Sequence, residues 1–580
     1  MESSLKRNSL FLRREFMRAL FPVMLSVLGG TVNTLIDSAF VSRRLDADAL
    51  AAVSLNMPLF LVLCMVGCLF GVGSFVAASR SLGHNDEEKA KAYYHTAFLL
   101  SVIVSIFFIA AGLFFSGQVA DLLCRDDNLQ DMVEDYCKIT LLGALPYILV
   151  YIPTYFLQLN GRSKAMTVMM AIMIGTDILF DWLMMYVFDM GIAGAAEASV
   201  LSTLFATLYG LCILQSRSSI FRFSLRHFRF RQVKNILLFG SSSAFGSLLD
   251  VVRMLVLNMI IYAVGGTPAL ALWAVINSML ELSLAITAGV PRTAAPMLGI
   301  YLGGHDNEGV RGLMGLQMQA GIAQSTIFAI IIIVFHQPIG LLFKLEQSVL
   351  VPFICLGIAV VLETACSVLG SYYNVAKKVF LSNLVMFMRT FVFELVLAHI
   401  MYIKEWLIWL FLPLSMLLTL LVTVLITRLM AAKTKGKEHE LSSFLLLDDY
   451  LEKNNKVKGF SIMSSNEGIC KASEDISLFC TENGMDRKKG MRLGLALEEV
   501  MTVMVRKSLE KDDDPVDVRI YSMEETIGVS IMCSGKRYNL FQEAMDSEDD
   551  FNMGVQMIEK LSKDCHYTYT LGMNILTVEF

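Results

Sequence analysis

LGHNDEEKAKA, residues 82–92, and LGGHDNEGVRG, residues 302–312, are the two stretches that decide the fold. Each interrupts a series of long apolar runs, and pairing His84 with His305 also pairs Glu87 with Glu308. A second echo follows in the same order: LQLNGRSKA from Leu157 against SYYNVAKKV from Ser371, which pairs Asn160 with Asn374 and Lys164 with Lys378. Equivalent loops after the second and eighth apolar runs, and after the fourth and tenth, imply two halves of the same design in the same orientation. Repeated halves around a central cavity are a signature of membrane transport.

The composition agrees. Across 580 residues, 55% are hydrophobic and only 17% charged, with a mean hydropathy of +0.59, whereas soluble domains carry about 25% charge. A helix needs about 20 apolar residues to cross a bilayer. Twelve runs qualify, at 19–41, 50–79, 93–116, 137–159, 165–188, 192–214, 235–264, 268–299, 312–336, 349–373, 380–402 and 405–429. Lipid offers the backbone no hydrogen-bond partner, so each run is predicted to be a helix. The fold class expected is an all-α integral membrane protein, twelve transmembrane helices in two six-helix bundles, plus a small C-terminal cytoplasmic α/β sandwich.

Lys and Arg concentrate in 1–18, 80–91, 162–164, 217–234, 377–378 and 428–437, while the alternate loops hold few beyond Arg43, Arg44, Arg125, Lys344 and Lys404. The positive-inside rule then places both termini in the cytoplasm of a multi-pass protein of the cell membrane. The basic start, MESSLKRNSLFLRREF, runs into an apolar span with no small-residue cleavage site, so a removable signal peptide is not expected. The divisions predicted are a basic N-terminus (1–18), a first bundle (19–215), a basic linker (216–234), a second bundle (235–430), a charged linker (431–450) and a soluble domain (451–580). Eleven cysteines are scattered; the closest pair, Cys64 and Cys68, lies at i, i+4 in an apolar run and reads as small apolar side chains.

Two further stretches carry a family resemblance over residues 15–430. PVMLSVLGGTVNTLIDSAFVSRRLDADALAAVSLNMP, residues 22–58, is a proline-started helix ending in an Asp-x-x-Phe-Val segment and a Leu-Ala-Ala loop. TDILFDWLMMYVFDMGIAGAAEAS, residues 176–199, joins an Asp motif to a Gly-Ile-x-Gly-Ala-Ala series. Both resemble the MATE (multidrug and toxic compound extrusion) transporters. That resemblance implies export of organic, often cationic, molecules, driven by proton or sodium exchange as the bundles alternate between outward- and inward-facing states. The chain departs from the pattern at Asp177, where the family has Asn, and at Glu197, where it has an apolar residue.

Ionisable groups at bilayer depth are costly and mark function by default. Asp177 and Asp181, at i, i+4, share one face of the fifth span. With Asp37 on the first span and Ser199 on the sixth, where the resemblance implies a hydroxyl, they form an expected ion and substrate site. Neighbouring carboxylates in a low dielectric cannot all ionise cheaply, which suits proton exchange. In the second bundle, Asp250 and Arg253 form an i, i+3 pair that neutralises itself, and Glu281 and Glu363, lacking a local partner, are added to the site. No catalytic residue, metal or cofactor is expected beyond the coupling ion.

The soluble domain is predicted to have helices at 470–483, 488–509 and 553–563 and strands at 516–522, 526–533, 566–571 and 574–580. GMRLGLALEEVMTVMVRKSL resembles the first ATP-binding helix of GHKL-type ATPases, in particular the anti-sigma-factor kinases, and the last 28 residues resemble that fold's closing helix and strands. The resemblance implies a nucleotide site at Glu499, Gly535 and Gly554. Its chemistry is degenerate, because Val503 stands where a Mg-ligating Asn belongs and Cys533 where an adenine-reading Asp belongs. A regulatory domain with a protein partner is therefore expected. Two alternatives stand beside export of small organic molecules: a flippase for lipid or polysaccharide precursors, and a membrane-tethered signalling protein. No pattern asks for nucleic acid.

Overall fold

The computed structural model describes residues 7, 9–44, 47–123, 127–216, 219–224, 229–342, 350–401, 405–435, 440–442, 444–454, 456–509, 514–523, 526–541 and 552–580. Among these described residues ten helices are long and apolar enough to cross a membrane, and the pair Gln130–Leu142 and Ala144–Leu159, bent by 53°, makes an eleventh if it is one span. The first expected span falls in helix Leu10–Arg44, part of whose side chains, Asp37 among them, lie outside the described residues. Spans seven and eight run as one helical assignment, Val233–Thr287, but Gly266 has φ +62° and separates Phe230–Ala263 from Leu272–Gly303. Only glycine enters that region readily, which lets the chain reverse there.

The two repeated loops do correspond, with a slip in register. Asp86 caps helix Glu87–Phe114 by accepting from the Lys89 amide, and Asp306 caps Asn307–Val334 by accepting from Gly309, each at 2.9 Å. Before them, Asn85 and His305 adopt φ of 58° and 55°. The equivalent of His305 is thus Asn85, not His84. In the second echo Gly161 and Lys377 share positive φ, 73° and 62°, and Arg162 and Lys378 precede the next helices in matching conformations. Asn160 therefore corresponds to Ala376, two positions from the pairing read off the sequence.

The lobes meet at the end of the membrane part that bears the tail. A Cβ on Gly240 would stand 1.9 Å from the Leu69 carbonyl oxygen, and one on Gly83 would stand 2.3 Å from that of Ile300. Backbone touches backbone there, which only glycine allows. One apolar core runs through both lobes at this end and takes in Leu446, Leu447, Met532, Met573 and Ile575 of the tail. At the opposite end each lobe has its own core, around Trp273 and Phe353 in one and Ala52 and Val133 in the other. The structure is closed at the tail and divided at the far end.

The tail is a five-stranded antiparallel sheet, β1 (Val457–Met463), β2 (Pro515–Met523), β3 (Thr526–Ser534), β4 (Asp564–Thr570) and β5 (Met573–Glu579), in the order β1-β2-β3-β5-β4. Helices Asn466–Glu482, Arg487–Ser508 and Asn552–Leu561 pack on one face over Val516, Val518, Ile520, Val529 and Ile531. Strand β1, absent from the sequence reading, pairs along β2 from Val457 opposite Tyr521 to Met463 opposite Pro515. Alternation sends Asp517 and Arg519 to the other face, and that face lies on the membrane part. Arg519 donates to the carbonyls of Gly304 and His305 at 2.7 and 2.6 Å. Arg7 grips both oxygens of Asp306 at 2.8 Å and reaches Asp517 at 2.5 Å. Burial works against ionised Asp306, yet Arg7 and Arg519 prevail and hold its carboxyl at about 2. At the other edge of the sheet, Thr570 Oγ1 and the Leu571 amide donate to the Leu159 carbonyl at 2.7 and 3.1 Å.

Removing one member of a buried ion pair strands the rest, at a cost of about 3–5 kcal/mol. Arg7→Met is therefore expected to free the tail: amide exchange in β2 and in 302–306 should quicken and limited proteolysis should cut within 436–456. Unchanged exchange would show that Arg7 does not hold the tail.

Candidate functional site

Asp177 and Asp181 are both buried on helix Ser163–Trp182, with relative exposures of 0% and 1%. Ser202, on helix Gly191–Leu214, donates to Asp177 Oδ1 at 2.7 Å. Asp177 Oδ2 and Asp181 Oδ2 are buried with no hydrogen-bond partner. A carboxylate left so is unstable in a low dielectric unless it takes up a proton or a cation. The expected hydroxyl, Ser199, turns inward on its own helix and donates to the Ala195 carbonyl at 3.3 Å. Ser202, one turn later, takes its place. Glu197 is half-buried on the same helix.

Two backbone features position the acids. Thr167, on the helix of Asp177, donates to the Pro22 carbonyl at 3.2 Å and pins the first span against the fifth. Directly after Trp182 the helix widens into a π turn, Leu183–Val187. Such turns recur at functional sites because they re-aim the side chains beside them. A second π turn, Met388–Val392, occupies the matching span of the other lobe.

In the second lobe the buried acids are paired with arginines. Glu363 on helix Leu350–Val375 is paired with Arg389 in the π turn, although its Oε2 has no partner. Arg253 lies 3.2 Å from Glu394 and 3.6 Å from Asp250, so its nearer partner is the distant Glu394 rather than its helical neighbour. Glu281 is exposed and accepts from Asn277 at 2.9 Å. The structure thus brings Asp177 and Asp181 together and leaves Glu281 and Glu363 in the other lobe. The missed partners Ser202, Arg389 and Glu394 are contacts between spans, which no spacing along one helix reveals.

In the tail, Glu499 and Gly554 are neighbours, since a Cβ on Gly554 would stand 2.7 Å from Glu499 Oε2. Gly535 is elsewhere. With φ +126° it lies against the Ser508 carbonyl, nine residues or about 13 Å further along the helix. Helix Asn552–Leu561 sits over Glu499, where the resemblance implies a nucleotide.

Comparison with known proteins gives the class. The family model described as MatE matches residues 22–183, and members of that family are secondary transporters, not enzymes. The multidrug export protein MepA of Staphylococcus aureus is 23% identical over 330 residues, covering 57% of this chain and 73% of its own. Among solved structures, a MATE protein in complex with MaD3S superimposes with a TM-score of 0.69 at 20% identity, over 75% of this chain and 100% of its own. A multidrug resistance MATE family transporter of the MOP superfamily, in its outward-facing conformation, gives 0.68 at 20% identity, over 74% and 100%. The membrane part therefore has the MATE transporter fold, joined to an α/β tail.

Ser202→Ala would leave both Asp177 oxygens without a partner, a loss of about 1–3 kcal/mol. The purified variant is expected to melt at lower temperature than the parent, and Asp177→Asn, which keeps the hydrogen bond and removes the charge, to melt at or above it. Equal melting of parent and Ser202→Ala would remove Ser202 from the site.

Proposed function

We propose that this chain exports small organic, often cationic, compounds across the cell membrane by alternating access, exchanging them for protons or sodium ions at Asp177 and Asp181. One observation carries the reading: two buried carboxylates one helical turn apart each keep an oxygen without a partner and, among the described residues, form no ion pair, whereas Glu363 and Glu394 of the other lobe are held by arginines. A cation can therefore load in the first lobe without first breaking an ion pair. Protonation removes one unit of charge there, which releases a bound cation and shifts the balance between the two lobe arrangements. Asp37 is assigned to the same site as an ionisable group on the first span; its side chain lies outside the described residues.

The Lys and Arg bias of the loops supports a cytoplasmic tail and termini. The closed packing at that end then corresponds to the outward-facing state. The flippase alternative needs cations free to receive phosphate in the cavity. It is disfavoured because Arg253 and Arg389 are taken by Glu394 and Glu363, which leaves, of these three, Arg292, stacked over Tyr155 at 4.5 Å with its Nε unpartnered, as a lone cation. The tail is read as a degenerate GHKL-like regulatory domain, supported by three helices on one face of its antiparallel sheet. Exposed Leu478, Met491 and Leu495 on its outer helices favour a cytoplasmic protein partner on that face.

The test is efflux of a fluorescent organic cation from energised vesicles. Asp181→Asn is expected to abolish gradient-driven efflux while the protein still reaches the membrane, and undiminished transport in that variant would refute the exchange role of the carboxylate.

A further inference from the structure

Between the membrane part and the tail lies a crevice of about 600 Å3, within the range of ordinary small-molecule sites. Three cations line it: Arg80 at the end of the second span, Lys378 in the loop before the eleventh, and Lys456 just ahead of β1. Among the described residues, the contacts each one makes are with neutral groups. Arg80 Nη1 donates to the Val375 carbonyl at 2.8 Å, while its Nε is buried and has no partner. Lys378 donates to the carbonyls of Leu446 and Leu445 at 2.5 and 3.4 Å. Lys456 rests over the Tyr450 ring, 5.6 Å from its centre. Among the described residues that line the crevice the single acid is Asp448, which is exposed.

Partly buried cations are ordinarily paired with carboxylates. The acids nearby are occupied elsewhere: Asp449 pairs with Arg311, and Glu452 accepts from Asn307 at 3.3 Å. Burial pushes the Lys378 ammonium down to about 8 with no carboxylate to offset it. The described walls thus carry a net positive charge around a space of ligand size, with one guanidinium and two ammonium groups among its lining. That is the chemistry of phosphate recognition.

We infer that this crevice binds a phosphate-bearing anion, held between Arg80, Lys378 and Lys456. The three cations belong to the first lobe, the second lobe and the tail, so the bound anion ties all three together and stabilises the arrangement closed at the tail. The site lies on the opposite face of the sheet from Glu499 and Gly554, and its occupancy does not depend on the export reading.

The probe is pyrophosphate, with ATP beside it, titrated into the purified full chain during thermal unfolding, against sodium chloride of matched ionic strength. A ligand selective for the folded chain raises its melting temperature in a concentration-dependent manner. Pyrophosphate is expected to do so, and Lys456→Met, at a tail residue that lines the crevice, to weaken apparent affinity about ten-fold, as loss of one charge-assisted contact implies. Lys378→Gln should show the same weakening, which guards against a folding defect peculiar to either variant. A second arm compares nanodiscs of phosphatidylglycerol and phosphatidylcholine. Stabilisation by phosphatidylglycerol alone, lost in Lys456→Met, identifies the anion as a lipid headgroup and supports the site. No saturable shift with any of these anions, or a shift indifferent to both lysine variants, overturns it.

Discussion

Backbone contact between the lobes at Gly240 with Leu69, and at Gly83 with Ile300, is the constraint on which the rest of the molecule depends. No side chain intervenes, so the two spans close to within contact of their carbonyls. That approach brings the two repeated loops against each other, with the His84 and His305 rings 5.6 Å apart. A single platform results, drawn from both halves, and the sheet of the tail is shaped to it. Arg519 reads the carbonyls of one loop, while Thr570 and Leu571 read the carbonyl of Leu159 in the other lobe. The platform exists only while the lobes are together at this end.

The two lobes share a design and differ in their charges. Each has a π turn in the matching span and an acid facing inward near it. In one lobe Asp177 meets a serine; in the other Glu363 and Glu394 meet arginines. Electrostatics makes these unlike objects. An ion-paired carboxylate is neutral in sum and has little to gain from a cation, whereas an unpaired one in low dielectric gains a great deal. Duplication supplied two equivalent positions, and the charges leave one of them open to exchange.

Much of this was legible in the residues, because lipid imposes a length and an apolarity that a run of sequence displays openly. Asp177 and Asp181 stood out for the same reason. The register of the repeats was harder. It is anchored by positive φ at Asn85, His305 and Lys377, and His and Lys do not announce a left-handed backbone as glycine does. Partners across spans, such as Arg389 for Glu363, come from helix packing and leave no local trace. Strand β1 was missed because VKGFSIM carries a lysine and a glycine, and its alternation, Phe460 and Ile462 about Ser461, is too short to stand out beside the charged segment before it. The docking face of the tail was invisible for a related reason: Asp517 and Arg519 read as the solvated side of a strand until the membrane part covers them.

Arg7 and Asp517 stand at nearly opposite ends of the chain, yet their side chains meet. During synthesis every span between them must be inserted before the aspartate emerges. A nascent polypeptide therefore passes through a period in which both lobes already reside in the bilayer but nothing fastens them from beneath, and the completed fastening reports that translation has run through to the sheet.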